Sequence, residues 1–390
     1  MIDDAVRWLR GQQDEMVRSL AALVDASSHT RDKAGVDAAG ARLERMVPLR
    51  CARVRSAEFG DHLVFGDRQA GAPGVILIGH HDTVFPREVF AGWREDGRLG
   101  RGPGALDMKG GLVVVAFALQ ALSRVGALRG LGVSLAVVSD EEVGSPESAP
   151  MLRALAQGAD AALVFEAGRE GDRVVTRRKG TGSVRVVAHG RAAHAGNAHR
   201  QGASAVRAMA RFIEAAEALT DYDAGRTLNV GRVEGGIGKN TVPERCEADI
   251  DLRFERADDL RELHERLVAI AGESAMLGTR IEVSLGVGRP PMARTEASAS
   301  LLAEFLACQS AAGLGGGECE LQGGGSDAST VASVGVPAID GLGPRGVGMH
   351  TLDERVELDS LVPKAEALLR FLGGRRDLRS SAESVLGSPP

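Results

Sequence analysis

Three clusters of histidine and acidic residues each begin where an apolar run ends. GHHDTV (Gly79–Val84) follows VILI, SDEEVGS (Ser139–Ser145) follows VSLAVV, and FEAG (Phe165–Gly168) follows AALV. In open α/β sheets, ligands bind outside the carboxyl ends of the strands, which is where these side chains would emerge. A fourth cluster, GRGPGALDMKGG (Gly100–Gly111), sets Asp107 in a glycine-rich turn ahead of a helix, where backbone can approach a ligand closely. Histidine nitrogen and carboxylate oxygen without cysteine suit Zn²⁺ in a catalytic site rather than a closed structural one. One partition has two ions sharing Asp107, with His80 and Glu166 on the first and Glu142 plus a distant histidine on the second; His350, in GVGMHTLDERVEL, is the candidate. The charges of two Zn²⁺, three carboxylates and one hydroxide cancel, and a neutral site tolerates partial burial. Asp82, two residues beyond His80, is placed to accept the other imidazole N–H and fix its tautomer. Glu141, beside a ligand but outside the set, could take a proton from the attacking water and pass it to the leaving amine.

Each signal alone has a plainer meaning. A lone histidine after a strand more often packs or faces solvent, and adjacent glutamates are commonly a solvated turn; the weight lies in four such clusters in matching contexts. His81 reads as packing beside His80 rather than as a ligand. GGIGKNT (Gly235–Thr241) fails as a phosphate-binding loop because Val233 and Asn240 stand where GxxxxGK[ST] needs glycine and serine or threonine. GRGPGA lacks the preceding apolar strand of a dinucleotide fingerprint.

The elements that must carry these residues alternate. Apolar spacing predicts an amphipathic helix over residues 2 to 24. Strands at 75–78, 133–138 and 161–165 alternate with helices at 111–124 and 149–157, an α/β pattern with a largely parallel sheet. From 183 to 287 the order becomes strand (183–188), helix (203–218), strand (227–233), strand (245–254), helix (257–276), strand (280–285). That is a split β-α-β sandwich of ferredoxin-like type. The α/β pattern resumes with a helix at 298–312, an apolar stretch at 336–339 and a final helix at 358–372. The expectation is a catalytic domain from 1–181 and 290–375, an inserted domain at 182–289, and a flexible tail at 376–390.

Composition bounds the function. The 390 residues carry 47 basic and 53 acidic side chains, a net charge of −6, which argues against a nucleic-acid binder or an anionic-membrane binder. The four cysteines, Cys51, Cys246, Cys308 and Cys319, form no CxxC pair and read as reduced core thiols. The N-terminal segment lacks the basic start and apolar stretch of a signal peptide, so a cytoplasmic location is expected. Only five basic residues are lysines, and three of them fall at notable places: Lys109 beside Asp107, Lys179 at the first domain crossover and Lys239 beside Asn240.

In order, HHDTV, ALDMKGG, SDEEVGS, FEAG, GRAAHAG, KNTVPE, GGGSDAS and GMHTLDE resemble the zinc metallopeptidase family of glutamate carboxypeptidase, acetylornithine deacetylase, succinyl-diaminopimelate desuccinylase and aminoacylase, over roughly residues 10 to 372. The resemblance implies a mixed α/β fold with a zinc-peptidase-like sheet and an inserted dimerisation domain. It implies a co-catalytic zinc pair, with Co²⁺ or Mn²⁺ as substitutes, on His80, Asp107, Glu142, Glu166 and His350, with Asp82 supporting them and Glu141 as general base. It also implies a cis peptide after Asp107 and a homodimer in which His194 of GRAAHAG reaches the partner's site to stabilise the oxyanion. Asn240 matches a substrate-contacting asparagine, and Arg253 an arginine that grips the substrate carboxylate. Arg289, in GRPPM, resembles a second such arginine, or serves the surface. Gly324 and Gly325 match a loop whose backbone amides meet substrate. The expected activity is glutamate carboxypeptidase-like cleavage of an amide to release an amino acid with a free carboxylate. The alternative is an N-acyl amino acid deacylase. A catalytically silent dimeric scaffold would require a missing ligand or base, and none is missing.

Overall fold

A computed structural model describes residues 1–66 and 68–386, with side chains described through Arg375. The chain divides into two compact units. One comprises Met1–Arg177, Ala293–Leu321 and the chain from Ser326 onward; the other comprises Arg178–Met292 and Gln322–Gly325.

The first unit is built on a six-stranded mixed sheet, ordered Cys51–Val54, His62–Gly66, Val133–Val138, Val75–His80, Ala161–Val164, Ala338–Ile339. Val75–His80 runs parallel to Val133–Val138 on one side and to Ala161–Val164 on the other. Chain order therefore reverses about this central strand, and in open α/β sheets ligands bind outside the carboxyl ends beside such a reversal. Every residue of these three strands is buried, which explains their unbroken apolar runs. The helix Gly110–Arg124 is apolar on all sides because it lies within the core, packed by Leu361–Leu386, Ile2–Arg10 and Gln13–Asp25. It belongs to the one stretch among the described residues apolar and long enough to cross a membrane, Ala105–Arg124.

The second unit is a four-stranded antiparallel sheet ordered Thr227–Gly235, Arg245–Phe254, Gly180–His189, Arg280–Arg289. Helices Ala205–Glu217 and Asp259–Ser274 pack Met209, Phe212, Leu263, Leu267 and Ile270 against Val184, Val186, Ala248, Ile250 and Leu252 of the sheet. This is the β-α-β-β-α-β order of a ferredoxin-like sandwich.

Several local expectations differ from the structure. The predicted helix over residues 2 to 24 is two helices, Ile2–Arg10 and Gln13–Asp25. Gly11 interrupts it: glycine disfavours a helix interior, and the N–H groups of Gly11 and Gln12 turn back to the carbonyls of Trp8 and Leu9. The helix Lys33–Met46 escaped the pattern because small residues, Gly35, Ala39 and Gly40, form much of its buried face. The final helix runs from Leu361 to Leu386. Its extension covers most of the expected tail, because RDLRSSAESVL lacks a core pattern but contains no proline to stop a helix. Residues 387–390 of that expected tail lie outside the described residues.

Candidate metal centre

His80 ends the central strand, and strand register sets its neighbours. His80 pairs with Val138 and Ile78 with Val164, so Glu166, two residues past Val164, emerges level with His80, and Glu142 follows four residues past Val138. Asp107 comes from the turn Ala105–Lys109, entered through Gly104 at φ 74° and containing a cis Asp107–Met108 peptide. His350 lies on a loop, itself at φ 59°.

These side chains fall into two groups that could each hold a metal ion. Potential ligand atoms of His80, Asp107 and Glu166 lie within 4.8 Å of one another, and so do those of Asp107, Glu142 and His350. Asp107 belongs to both and divides its oxygens: Oδ1 is 3.3 Å from His80 Nε2, and Oδ2 is 3.3 Å from His350 Nε2. Glu166 Oε2 lies 3.7 Å from His80 Nε2, and Glu142 Oε2 lies 3.1 Å from His350 Nε2.

The electrostatics suit a strong positive charge. Burial pushes Glu166 well above its ordinary range, with Asp107 and Glu141 adding repulsion. Burial likewise pushes Glu142 to about 7. Burial alone would raise Asp107 too, but hydrogen bonds with His350 and His80 hold it far down. Its carboxylate and that of Glu142 raise His350 to about 10. Three carboxylates converging on two imidazoles form a donor set whose negative charge two divalent cations would more than offset.

Asp82 is fully buried, with Oδ1 3.5 Å from His80 Nδ1. Its Oδ2 accepts from the Thr30 hydroxyl at 2.8 Å and from the Glu142 N–H at 3.3 Å. One carboxylate thus touches ligand-bearing segments from both groups. His81 is buried with Nδ1 2.8 Å from the Val138 carbonyl, and burial lowers it to about 4, so it is a neutral packed side chain. Glu141 sits half-buried in the short turn Glu141–Val143. That turn is tied down by Ser145, whose hydroxyl donates to Asp327 at 2.6 Å.

The remaining expected site residues lie in the second unit. His194 and Thr241 pair across a two-stranded ribbon, and the carbonyl of neighbouring Asn240 accepts from the Ala195 N–H, so His194 and Asn240 are close. His194 Nδ1 accepts from the N–H groups of Gly196 and Asn197 at 3.1 and 3.0 Å. That assigns the proton of the neutral ring to Nε2, a donor. Arg253 closes its fork on Asp251 at 2.8 and 3.0 Å and reaches the Gly323 carbonyl with Nη1. Arg289 is buried, and its Cδ stands 3.2 Å from where a Cβ on Gly325 would be. Gly324 shows no crowding and no left-handed φ, so the fold itself does not require glycine there.

Sequence reasoning missed four residues. Arg178 donates to the Gly324 carbonyl at 2.9 Å, on the same glycine loop that Arg253 and Arg289 approach. Thr30 left no signal because it reaches Asp82 from 52 residues away, and Asp327, though inside GGGSDAS, gave no sign that it meets the Ser145 hydroxyl 182 residues away. Glu354, four residues after His350, was legible only as one more acid; it is buried beneath the Asp107 turn.

A model of the Peptidase family M20/M25/M40 matches residues 76–373. The chain is 28% identical over 348 residues to Carboxypeptidase G2 of Pseudomonas sp. (strain RS-16), covering 87% of this chain and 84% of that one. It is 27% identical over 379 residues to a succinyl-diaminopimelate desuccinylase of Marinobacter nauticus, covering 90% and 96%. Among solved structures, a tripeptidase from Staphylococcus aureus shares the fold at TM-score 0.77 and 20% identity, over 94% of this chain and 99% of that chain. An M20 family metallo-carboxypeptidase from Sulfolobus solfataricus does so at TM-score 0.76 and 16% identity, over 93% and 99%. With the family match running through the central strand, the Asp107 turn and the His350 loop, the chain belongs to peptidase family M20/M25/M40, a family of metal-dependent hydrolases.

Proposed function

We propose that the protein is a di-zinc hydrolase that cleaves an amide bond and releases an amino acid with a free carboxylate. The observation that carries this reading is the divided carboxylate of Asp107, one oxygen turned to His80 and the other to His350, with Glu141 beside Glu142. His80, Asp107 and Glu166 would hold one ion, and Asp107, Glu142 and His350 the other. When bound, such a pair supplies Lewis-acid polarisation of the scissile carbonyl and lowers the pKa of water.

The chain's own groups do the rest. The backbone carbonyl of Asp82, 3.1 Å from His80 Nδ1, with the Asp82 carboxylate 3.5 Å away, keeps the Nε2 lone pair directed at the ligand group. Glu141 takes a proton from the attacking water and delivers it to the leaving amine nitrogen. His194, with its proton on Nε2, donates to the developing oxyanion in the partner's site. Asn240 and the Gly324 and Gly325 amides contact substrate, and Arg253 and Arg289 receive its carboxylate, Arg253 by exchanging Asp251 for the ligand. A homodimer through the second unit is supported by its open edge strand Thr227–Gly235, near which Val233 and Ile237 are exposed.

The similarity to Carboxypeptidase G2 favours a carboxypeptidase. The similarity to a succinyl-diaminopimelate desuccinylase favours the second reading, an N-acyl amino acid deacylase with the same chemistry. The test is to load purified protein with Zn²⁺ or Co²⁺ and screen glutamate-terminated dipeptides and folate-like amides beside N-acylated amino acids. Turnover should depend on the metal and fall by roughly 10²- to 10⁴-fold in Glu141→Gln. Metal-independent turnover, or full activity in that variant, would rule the reading out.

A further inference from the structure

Glu354 is fully buried, yet the seven residues before it, Val347–Asp353, are all exposed or half-buried and include His350. Its carboxylate faces backbone. Oε1 accepts the N–H groups of Leu106 and Asp107 at 2.8 and 2.9 Å, and Oε2 accepts that of Gly104 at 3.0 Å. One side chain therefore gathers three amides of the turn that presents Asp107, across 247 residues of sequence.

From the other side, the Lys109 ammonium donates to the carbonyls of Pro103 and Ala26 at 3.4 and 3.1 Å. The turn's amides are held by Glu354 and its Pro103 carbonyl by Lys109. The strand Arg355–Glu357 pairs with Leu99–Arg101, Arg355 opposite Arg101, so sheet register delivers Glu354 beneath the turn that follows Arg101. Above Glu354, the His350 loop is braced by Thr351 N–H to Gly348 carbonyl at 3.0 Å and by Arg101 Nη2 to Leu352 carbonyl at 2.6 Å.

We infer that Glu354 is a positioning residue that presets the gap between Asp107 and His350, and so governs binding of the cation those two share with Glu142. The inference rests on the two-cation reading above. Metal–ligand distances tolerate only about 0.2 Å of error. Asp107 and His350 come from segments some 240 residues apart, and Glu354 ties one segment directly to the other. His80 and Glu166, by contrast, are placed by adjacent sheet strands without Glu354. Glutamine cannot replace it: whichever way its amide points, an NH₂ donor faces at least one of the three N–H donors.

The test is a Co²⁺ titration of metal-free wild type and Glu354→Gln, followed by visible absorption and calorimetry, with thermal unfolding of both metal-free proteins. Wild type should bind two ions. Because Asp107 serves both groups, both affinities should fall in the variant, one by roughly 10- to 100-fold and the other by less. If Glu354→Gln does not yield folded protein, Glu354→Asp, which keeps the charge but loses reach, is measured in the same way. Two unchanged affinities overturn the inference, as does an equal loss at both sites, which would mark a displaced Asp107 turn rather than a changed gap between Asp107 and His350. A wild type that binds fewer than two ions overturns the two-cation reading, and this inference with it.

Discussion

Buried charge serves two ends in this chain, and single residues tell them apart. At the metal centre, Glu142, Glu166 and Asp107 crowd together against their own repulsion, an arrangement that makes sense only with cations to meet it. Asp172 shows the opposite case. Its carboxylate is buried against the guanidinium of Arg345 at 3.1 Å, the ammonium of Lys364 at 3.2 Å and the N–H of Gly315 at 3.0 Å. Burial alone would raise Asp172, but Lys364, Gly315 and Arg345 outweigh it and hold it below its ordinary range. An acid so depressed contributes stability that is complete above its unfolded pKa of about 3.9 and is lost as pH falls through the folded value. Asp172→Asn strands the buried Lys364 ammonium and should cost about 3–5 kcal/mol in urea unfolding near pH 7. The gap should narrow as pH falls below about 4, where the unfolded chain takes up this proton first, and should level off once pH passes below the depressed folded value. A gap that is constant across pH would place the loss in packing instead. The five candidate ligands were legible in the sequence because each sits at a strand end, in a glycine turn or in a short motif. Asp172, Glu354 and Asp327 were not, because their partners are backbone amides or side chains distant in sequence, and no spacing rule reaches them.

At the scale of elements, the turn before the core helix has little room to vary. Gly104 adopts φ 74°, and a Cβ there would stand 2.5 Å from Thr83 Cγ2. Gly92 adopts φ 80° with nothing within 4 Å of its Cβ position. Alanine at either position meets the left-handed penalty of about 1–2 kcal/mol, but only at Gly104 does it also meet a neighbour. Gly104→Ala should therefore melt well below Gly92→Ala, and should weaken Co²⁺ binding, since the displaced turn carries Asp107; equal melting temperatures would refute the steric argument. Element types were legible where burial is uniform, as in the strands Val75–His80 and Val133–Val138, whose apolar runs have no polar face to confuse them. They were hidden where burial is uneven. The strand Cys51–Val54 is exposed along most of its length, and Lys33–Met46 buries only Val36 and Leu43 beside Gly35, Ala39 and Gly40. Periodicity rules detect apolar bulk, so elements held by small residues or by a sheet edge pass unnoticed.

Across the whole molecule, chain order sets the inserted unit, Arg178–Met292, between the segment that ends soon after Glu166 and the segment that carries His350. Both candidate metal groups lie within the first unit, while the second carries His194 and the neighbouring Asn240, both exposed, along with Arg253, Arg289 and the Gly324–Gly325 loop. If His194 serves the partner's site, activity belongs to the pair of chains, which a mixing experiment can read. His194→Ala lacks the donor but keeps its own Glu141, and Glu141→Ala lacks the base but keeps its own His194. Each alone should be nearly inactive. In a mixed dimer, one site joins an intact Glu141 to an intact His194 from the other chain, and the second site lacks both. Equal amounts, exchanged to equilibrium, give mixed dimers for half the population under two-fold closure, so activity should return to about a quarter of wild type. Recovery should track subunit exchange, followed by fluorescence transfer between labelled chains. Exchange without recovery would mean that His194 acts within its own chain, a fully active His194→Ala would mean that it does not act at all, and a protein that remains monomeric throughout would remove the premise.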